Sequence, residues 1–189
     1  LPLKAPMPPE TSSAIQPLLI GDQWISSADN AIESINPATG QLNCRISTAN
    51  ATQVDQAVAV ASAAAAQPAW RDMLPHVRAQ ILGRISDGIR AHTDALAHLQ
   101  MIENGKVLSE CKAQVASAAA TYRYYAAVCE TSGAEVTPSR GDYLSMTAYE
   151  PYGVVAAITP WNSPMTMEAQ IIAPAIAAGN AVLFKPSEV

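Results

Sequence analysis

Residues 153–188 constrain the fold more than any other stretch of the sequence, because two short apolar runs flank a helical pattern there. The first run, 153–158, carries no charge and is bounded by prolines, which predicts a fully buried parallel strand. The second run, 181–184, predicts a neighbouring strand. Two strands joined by a helix over about thirty residues form one βαβ crossover, so the sequence predicts an α/β fold.

The helix between these strands has predictable ends. Pro164 suits the first helical position and Ser163 the N-cap, while Gly179 can adopt the left-handed conformation that terminates helices. Ligands of parallel sheets bind at the carboxyl ends of the strands. Loops 159–163 and 185–188 follow those ends, so we expect the functional residues in these loops.

The preceding part of the chain predicts small hairpins followed by helices. Thr52 and Asp55 form a capping pattern for the first helix, and Pro75 suits the first turn of the second. Alternating apolar residues predict a half-buried strand over 143–149. A Pro-rich arm, 1–17, precedes all of these elements. The predicted hairpins pair 18–20 with 24–25 and 31–35 with 41–46, and the predicted helices cover 52–67, a stretch from Pro75, 93–104 and 109–129.

The composition predicts a soluble globular protein without a nucleic-acid or membrane partner. The net charge is −5, from 11 basic and 16 acidic residues, and the basic residues form no cluster. The longest apolar run, 171–184, is shorter than the roughly twenty residues that span a bilayer. The three cysteines and three histidines lack the spacing of a zinc site or a disulfide framework, which fits a reducing, cytoplasmic location.

Asn162 is the sharpest candidate for chemistry. Its carboxamide precedes a predicted helix and stands between two prolines, where an N–H group can stabilise a developing oxyanion. The alternative is that Asn162 only caps the helix. Its neighbour Trp161 can form the wall of a ligand cleft or belong to the core.

Lys185 and Glu188 follow the second strand and can contact a nucleotide. An acidic residue in that place accepts hydrogen bonds from ribose hydroxyls, and Lys185 can reach the sugar or the phosphates. The alternative is an exposed charged loop. No G-x-G-x-x-G sequence follows the first strand, so this fingerprint alone argues against a dinucleotide site.

Two long stretches, 150–164 and 173–188, closely resemble the NAD(P)-dependent aldehyde dehydrogenase superfamily. The resemblance extends over about residues 18–189. It implies an incomplete Rossmann-type cofactor domain preceded by hairpins and a helical layer, and it accounts for the missing glycines because this family binds its cofactor in an unusual way. Further similar landmarks, in the same order as in the family, are Asn36-Pro-Ala-Thr-Gly40, Val54-Asp55, the Trp70 and Arg78 region, and Glu103-Asn-Gly-Lys106.

The resemblance also implies a division of the chain and a set of site residues. Asn162 is implied to be catalytic, as the side-chain half of an oxyanion hole. Ser163 replaces an aromatic residue of many relatives, which implies a roomier substrate entrance. The implied segments are a flexible arm (1–17), the N-terminal part of the cofactor domain (18–135), a strand of the bridging, oligomerisation element (136–150) and a truncated first βαβ unit (151–189). The implied cofactor-binding residues are Ile158, Thr159, Pro160, Trp161, Asn162, Lys185, Ser187 and Glu188; the substrate-lining residues are Ser163, Met167 and Gln170; a monovalent cation is implied near Ser34, Ile35, Glu103 and Val189.

The implied reaction is the oxidation of an aldehyde to a carboxylic acid in a homodimer or homotetramer, with NAD as cofactor and NADP as an open alternative. The nucleophilic cysteine and the general-base glutamate of the family are expected outside this sequence, so we expect residues 1–189 alone to be inactive. A second hypothesis is a truncated, non-catalytic chain that acts as an interaction or nucleotide-binding module. A third is an α/β domain without a ligand.

Overall fold

The computed structural model describes residues 15–26 and 31–188, which form an α/β fold. Within these residues, no helix combines the length and the hydropathy that crossing a bilayer requires. The strands are β1 (Ile15–Gln16), β2 (Leu18–Ile20), β3 (Gln23–Ile25), β4 (Ala31–Ile35), β5 (Leu42–Ser47), β6 (Val136–Thr137), β7 (Ser145–Met146), β8 (Val154–Ile158) and β9 (Ala181–Lys185), and the helices are α1 (Ala51–Ala66), α2 (Pro68–Arg71), α3 (Pro75–Ala91), α4 (Thr93–Asn104), α5 (Leu108–Thr131) and α6 (Pro164–Ala177).

Two small sheets open the described chain. The pairs β2–β3 and β4–β5 are antiparallel, which confirms both predicted hairpins. The prediction of a flexible arm over 1–17 is wrong at residues 15–16, because β1 pairs in parallel with β5 and places Ile15 opposite Arg45. The edge of β5 that does not face β4 offers unpaired backbone N–H and C=O groups, and β1 forms its hydrogen bonds with these groups. Residues 1–14 lie outside the described part.

Helices α3, α5 and α6 pack into one layer with a core of small and medium side chains. Leu82 of α3, Ala118 of α5 and Ala173 of α6 are fully buried in the same cluster. Tyr122 of α5 supplies bulk in that cluster. The distance between packed helices depends on the side chains at the contact, so the alanine-rich sequence allows close packing here.

The predicted helices are confirmed, with two differences. The N-cap of α1 is Asn50 rather than Thr52: the Gln53 backbone N–H donates to Asn50 Oδ1 at 2.9 Å, and the Asn50 N–H donates to Gln53 Oε1 at 2.9 Å. Asn is a stronger cap than Thr, and the glutamine completes a reciprocal pair. The second difference is α2, a single turn that starts at Pro68 and that the sequence analysis missed.

The predicted half-buried strand over 143–149 is wrong in length and in burial. Its only sheet residues are those of β7, which pairs with the equally short β6. Leu144 is 69% exposed and Met146 is 61% exposed. A two-stranded ribbon has no second layer of its own, so the alternating apolar side chains remain in solvent.

The βαβ unit is confirmed, but its first strand is not fully buried. β8 and β9 are parallel, and α6 starts at Pro164 with Ser163 at the N-cap position, as predicted. Burial alternates along β8: Ala157 is buried, whereas Ile158 is 69% exposed. Within the described residues the strand pair is therefore covered on one face only, and the prediction of burial on both faces is wrong.

Trp70 of α2 and Arg78 of α3 bind the carboxyl end of α6. Trp70 Nε1 donates to the Gly179 carbonyl at 2.8 Å, and Arg78 Nη1 donates to the Ala177 carbonyl at 3.4 Å. The Arg78 guanidinium also lies 5.4 Å from the centroid of the Trp70 ring, a cation–π distance. This joint holds α6 in place and so supports loop 159–163 at its other end.

Candidate functional site

The carboxyl ends of β8 and β9 bring the two predicted loops together. Parallel pairing places Ile158 opposite Lys185, and the Thr159 backbone N–H donates to the Lys185 carbonyl at 3.2 Å. Thr159 is buried, whereas the side chains of Ile158 and Lys185 are exposed. Loops 159–163 and 185–188 therefore share one edge of the strand pair, where parallel sheets bind ligands.

Asn162 stands on this edge with an exposed and unengaged side chain. It precedes the N-cap position of α6, which Ser163 occupies without a side-chain cap bond. Within the described residues, the Asn162 carboxamide makes no hydrogen bond. The helix-cap alternative for Asn162 is therefore wrong. The amino-terminal end of α6, which carries a positive partial charge, is beside it and favours an anionic group.

Trp161 is anchored through its backbone rather than through its ring. The Trp161 carbonyl accepts a hydrogen bond from Asn104 Nδ2 at 2.7 Å. The side chain is 54% exposed, so within the described residues it does not belong to the core. Its large apolar surface is consequently available as the wall of a cleft.

Two of the three predicted substrate-lining residues, Met167 and Gln170, lie three positions apart on α6, which places them on one face of the helix. Ser163 occupies the N-cap position with non-helical dihedral angles, φ −151° and ψ 62°. Ser163 and Met167 are half-buried, and Gln170 is exposed. The Ser163 hydroxyl accepts a hydrogen bond from Gln114 Nε2 at 3.4 Å, so it serves a contact with α5 instead of the predicted cap.

Lys185 and Glu188 form an ion pair at the end of β9, with 55% and 67% of their side chains exposed. The hydrogen bond from Lys185 holds the pKa of Glu188 below its usual value of 4.5, and a backbone hydrogen bond adds to this shift. Glu188 is therefore charged at neutral pH and can accept hydrogen bonds from hydroxyl groups. Ser187, between the two, is half-buried.

The residues predicted to hold a cation belong to β4 and α4, apart from Val189, which lies outside the described part. Asn43 Nδ2 links these elements, because it donates to the Ser34 hydroxyl at 3.2 Å and to the carbonyl of the residue before Glu103 at 3.0 Å. Among the described residues, no group of three or more His, Cys, Asp or Glu side chains could hold a metal ion. A cation near Ser34, Ile35 and Glu103 stays a prediction.

The three cysteines are not suited to act as nucleophiles. Cys111 and Cys129 are buried, and Cys44 is half-buried on β5. Desolvation raises the pKa of Cys44, and the charge of Glu103 raises it further. Desolvation also raises the pKa of Cys129. A nucleophilic thiol needs the opposite shift, because the thiolate is the reactive form.

Two residues that contact the site, Asn104 and Gln114, were not predicted from the sequence. Asn104 of α4 reaches Trp161 across 57 positions of the chain, and Gln114 of α5 reaches Ser163 across 49. An amide side chain on a helix carries no local sign of such a contact. The only available signal was the position of Asn104 within the Glu103-Asn-Gly-Lys106 landmark.

Comparison with known sequences gives a family match over most of the chain. The sequence matches the model of the Aldehyde dehydrogenase family over residues 24–189. Phenylacetaldehyde dehydrogenase from Pseudomonas fluorescens is 38% identical over 179 residues, which cover 90% of this chain and 36% of the relative.

Solved structures are similar over the same region. A variant of betaine aldehyde dehydrogenase from Staphylococcus aureus in complex with NAD+ has a TM-score of 0.87 at 31% identity and covers 93% of this chain. NAD-dependent aldehyde dehydrogenase from Sinorhizobium meliloti has a TM-score of 0.88 at 27% identity and also covers 93% of this chain. The chain spans 35% and 36% of these two structures, or about a third of their length.

Proposed function

Because this chain belongs to the aldehyde dehydrogenase family, we propose that its protein oxidises an aldehyde to a carboxylic acid with NAD as cofactor. The observation that carries the proposal is the Asn162 carboxamide, which is exposed and unbonded within the described residues, at the ligand edge of the strand pair. The amide donors are therefore free to bond a ligand at this edge, as an oxyanion donor requires.

Asn162 is proposed to donate one hydrogen bond to the aldehyde oxygen. When a nucleophile adds to the carbonyl carbon, this oxygen gains negative charge, so the N–H group binds the adduct more strongly than the substrate. The partial positive charge at the start of α6 acts in the same direction. We propose that the nucleophilic thiol and the general base come from residues of the whole protein other than 1–189, because Cys111 and Cys129 are buried and the pKa values of Cys44 and Cys129 are raised.

Lys185, Ser187 and Glu188 are proposed to hold the adenosine ribose of NAD, which supplies the hydride-accepting nicotinamide. The fit rests on the Glu188 carboxylate, which is charged and exposed and can accept hydrogen bonds from ribose hydroxyls. Lys185 can donate to the sugar or the phosphates. Since a carboxylate repels a 2′-phosphate while the neighbouring ammonium attracts it, NADP is the alternative cofactor. Residues 158–162 are proposed to line the rest of the cofactor.

The substrate is proposed as an aldehyde that enters along Ser163, Met167 and Gln170. Two of the proteins named above are named for different aldehydes, phenylacetaldehyde and betaine aldehyde, so the proposal is limited to the chemical class. We further propose a homodimer or homotetramer in which residues 136–150 contribute to the contact between copies. The exposed Leu144 and Met146 of this ribbon support that idea, because adjacent exposed apolar side chains mark interaction surfaces.

The test of the proposed function is Asn162→Ala in a whole dehydrogenase that carries this sequence. We expect turnover to fall roughly ten- to a thousandfold, since one oxyanion donor is lost. The affinity for NAD+ should change little, because Asn162 is only one of several residues proposed to line the cofactor. Gln80→Ala is the matched control, because Gln80 is an exposed helical amide outside the proposed site. Unchanged turnover in Asn162→Ala would overturn the assigned role.

A second measurement addresses the chain by itself. Purified protein of residues 1–189 is expected to show no aldehyde-dependent formation of NADH, because it lacks a suitable thiol. Turnover by a preparation whose intact mass matches the 19.8 kDa chain would contradict this expectation.

A further inference from the structure

Two hydrogen bonds, one from α4 and one from α5, hold loop 159–163 on either side of Asn162. Asn104 Nδ2 donates to the carbonyl of Trp161, and Gln114 Nε2 donates to the hydroxyl of Ser163. We propose that Asn104 and Gln114 are positioning residues, which set the place of the Asn162 carboxamide for catalysis. This inference rests on the proposed function.

The contact of Asn104 is short and comes from a fixed point of the structure. Asn104 is the last residue of α4, and Gly105 then turns the chain with a positive φ of 76°. Its side chain is half-buried, and the bond to the Trp161 carbonyl measures 2.7 Å. Because Trp161 directly precedes Asn162, a shift of this carbonyl also shifts the backbone that carries the carboxamide.

Gln114 is itself held by a chain of hydrogen bonds along α4 and α5. Its Oε1 accepts a bond from the buried Gln100 at 2.7 Å, and its Nε2 donates to Glu110 at 3.1 Å. Glu110 in turn accepts a bond from Lys106 at 3.0 Å. The amide that reaches Ser163 therefore has few other orientations. Its bond of 3.4 Å to the Ser163 hydroxyl consequently restrains the position of Ser163.

Together these bonds explain how an exposed loop can hold a functional group steadily. The Thr159 N–H is bonded to the Lys185 carbonyl at the start of the loop, and Asn104 and Gln114 fix its second half. Asn162, between these two contacts, keeps a free amide on a restrained backbone. A displacement of about 1 Å at such a group can cost roughly a hundredfold in rate, so the restraint matters for catalysis.

The test is a double-mutant cycle on kcat in a whole dehydrogenase that carries this sequence. Asn104→Ala is expected to lower kcat roughly ten- to a hundredfold, with the KM for aldehyde and the affinity for NAD+ changed less than about twofold. In the Asn162→Ala background the same substitution should lower kcat by less than about twofold, because its effect passes through Asn162. Asn104→Gln, which keeps the donor, should recover part of the loss, and Gln80→Ala should change nothing.

Several results would overturn the inference. An Asn104→Ala variant with unchanged kcat, or one with the same loss in both backgrounds, shows that Asn104 does not act through Asn162. Gln114→Ala is the second variant and must give the same pattern if Asn104→Ala does not fold. Failure of the proposed function is recognised separately, because Asn162→Ala alone would then leave kcat unchanged. In that case the crystal structure of Asn104→Ala decides: a Trp161 carbonyl and an Asn162 Cα that both stay within about 0.5 Å of their original places overturn the positioning role.

Discussion

Two asparagines at the two ends of α6 show how one side chain serves opposite purposes in this fold. Asn180, after the carboxyl end, is buried; its Oδ1 accepts the Gly153 N–H at 3.0 Å and its Nδ2 donates to the Ala175 carbonyl at 3.2 Å. Asn162, before the amino end, is exposed and bonds to none of the described residues. A satisfied amide stabilises the structure, whereas an unsatisfied one at a ligand edge is available for chemistry.

The surroundings of Asn180 and Asn162 also differ in how fully hydrogen bonds close each end of α6. Trp70 and Arg78 close the carboxyl end of α6 with contacts to the Gly179 and Ala177 carbonyls. At the amino end, α4 and α5 bond only to Trp161 and Ser163, the neighbours of Asn162, and the Asn162 amide makes no hydrogen bond within the described residues. We therefore expect substitutions at the first end to change stability and those at the second to change activity.

The largest expected stability effect is that of Asn180→Ala. It leaves the Gly153 N–H without its partner and removes one of two donors to the Ala175 carbonyl, which keeps the bond from the Asn180 backbone N–H at 3.0 Å. An unpaired group of this kind costs about 1 to 3 kcal/mol of unfolding free energy. Asn162→Ala is the matched control and should change that free energy by less than about 0.5 kcal/mol. Urea denaturation of both variants measures the difference. Equal losses in the two variants would show that Asn180 contributes no more to stability than Asn162 does.

A smaller effect is expected for Trp70→Phe. Phenylalanine keeps an aromatic face for Arg78 but loses the Nε1–H bond to the Gly179 carbonyl, which is worth about 1 kcal/mol. The control is Trp24→Phe, because the Trp24 side chain on β3 is 60% exposed. A Trp70→Phe variant as stable as this control in urea denaturation would show that the indole N–H does not help to close the carboxyl end of α6.

The two ends also differ in how far the sequence predicts them. Pro164 and Gly179 mark the limits of α6 by local chemistry, so the helix and both strands could be predicted. The open face of β8 could not, because burial depends on which layers cover the sheet. Asn104 and Gln114 could not be predicted either, since their contacts join residues 57 and 49 positions apart and leave no periodic signal. The same limit explains why the cap and core alternatives for Asn162 and Trp161 stayed open.

At the ligand edge itself, Glu188→Gln is expected to weaken NAD+ binding roughly three- to tenfold, because a neutral amide oxygen accepts hydrogen bonds from ribose less strongly than a carboxylate. Isothermal titration of the whole protein with NAD+ gives the affinity. Glu150→Gln is the control, since Glu150 is exposed and precedes the opposite end of β8. Equal affinities in the two variants would remove Glu188 from the proposed cofactor site.

The smallest expected effect concerns Glu168, which lies on α6 between the two ends. Desolvation raises the pKa of Glu168 above its usual 4.5, and the Glu168 charge adds to the raised pKa of the buried Tyr122. The folded state therefore takes up a proton at higher pH than the unfolded state does. As the pH falls through the raised value the protein gains stability, and the gain is complete below about 4.5, where both states are protonated.

Glu168→Gln should therefore raise the thermal midpoint at pH 8, and this advantage should vanish below about pH 4.5, since glutamine does not titrate. The matched control is Asp87→Asn, an exposed carboxylate in the middle of α3. An advantage of equal size at both pH values would show that glutamine packs better and that the charge is not the cause. An advantage confined to high pH would instead show that the charge of the half-buried Glu168 side chain destabilises the folded state.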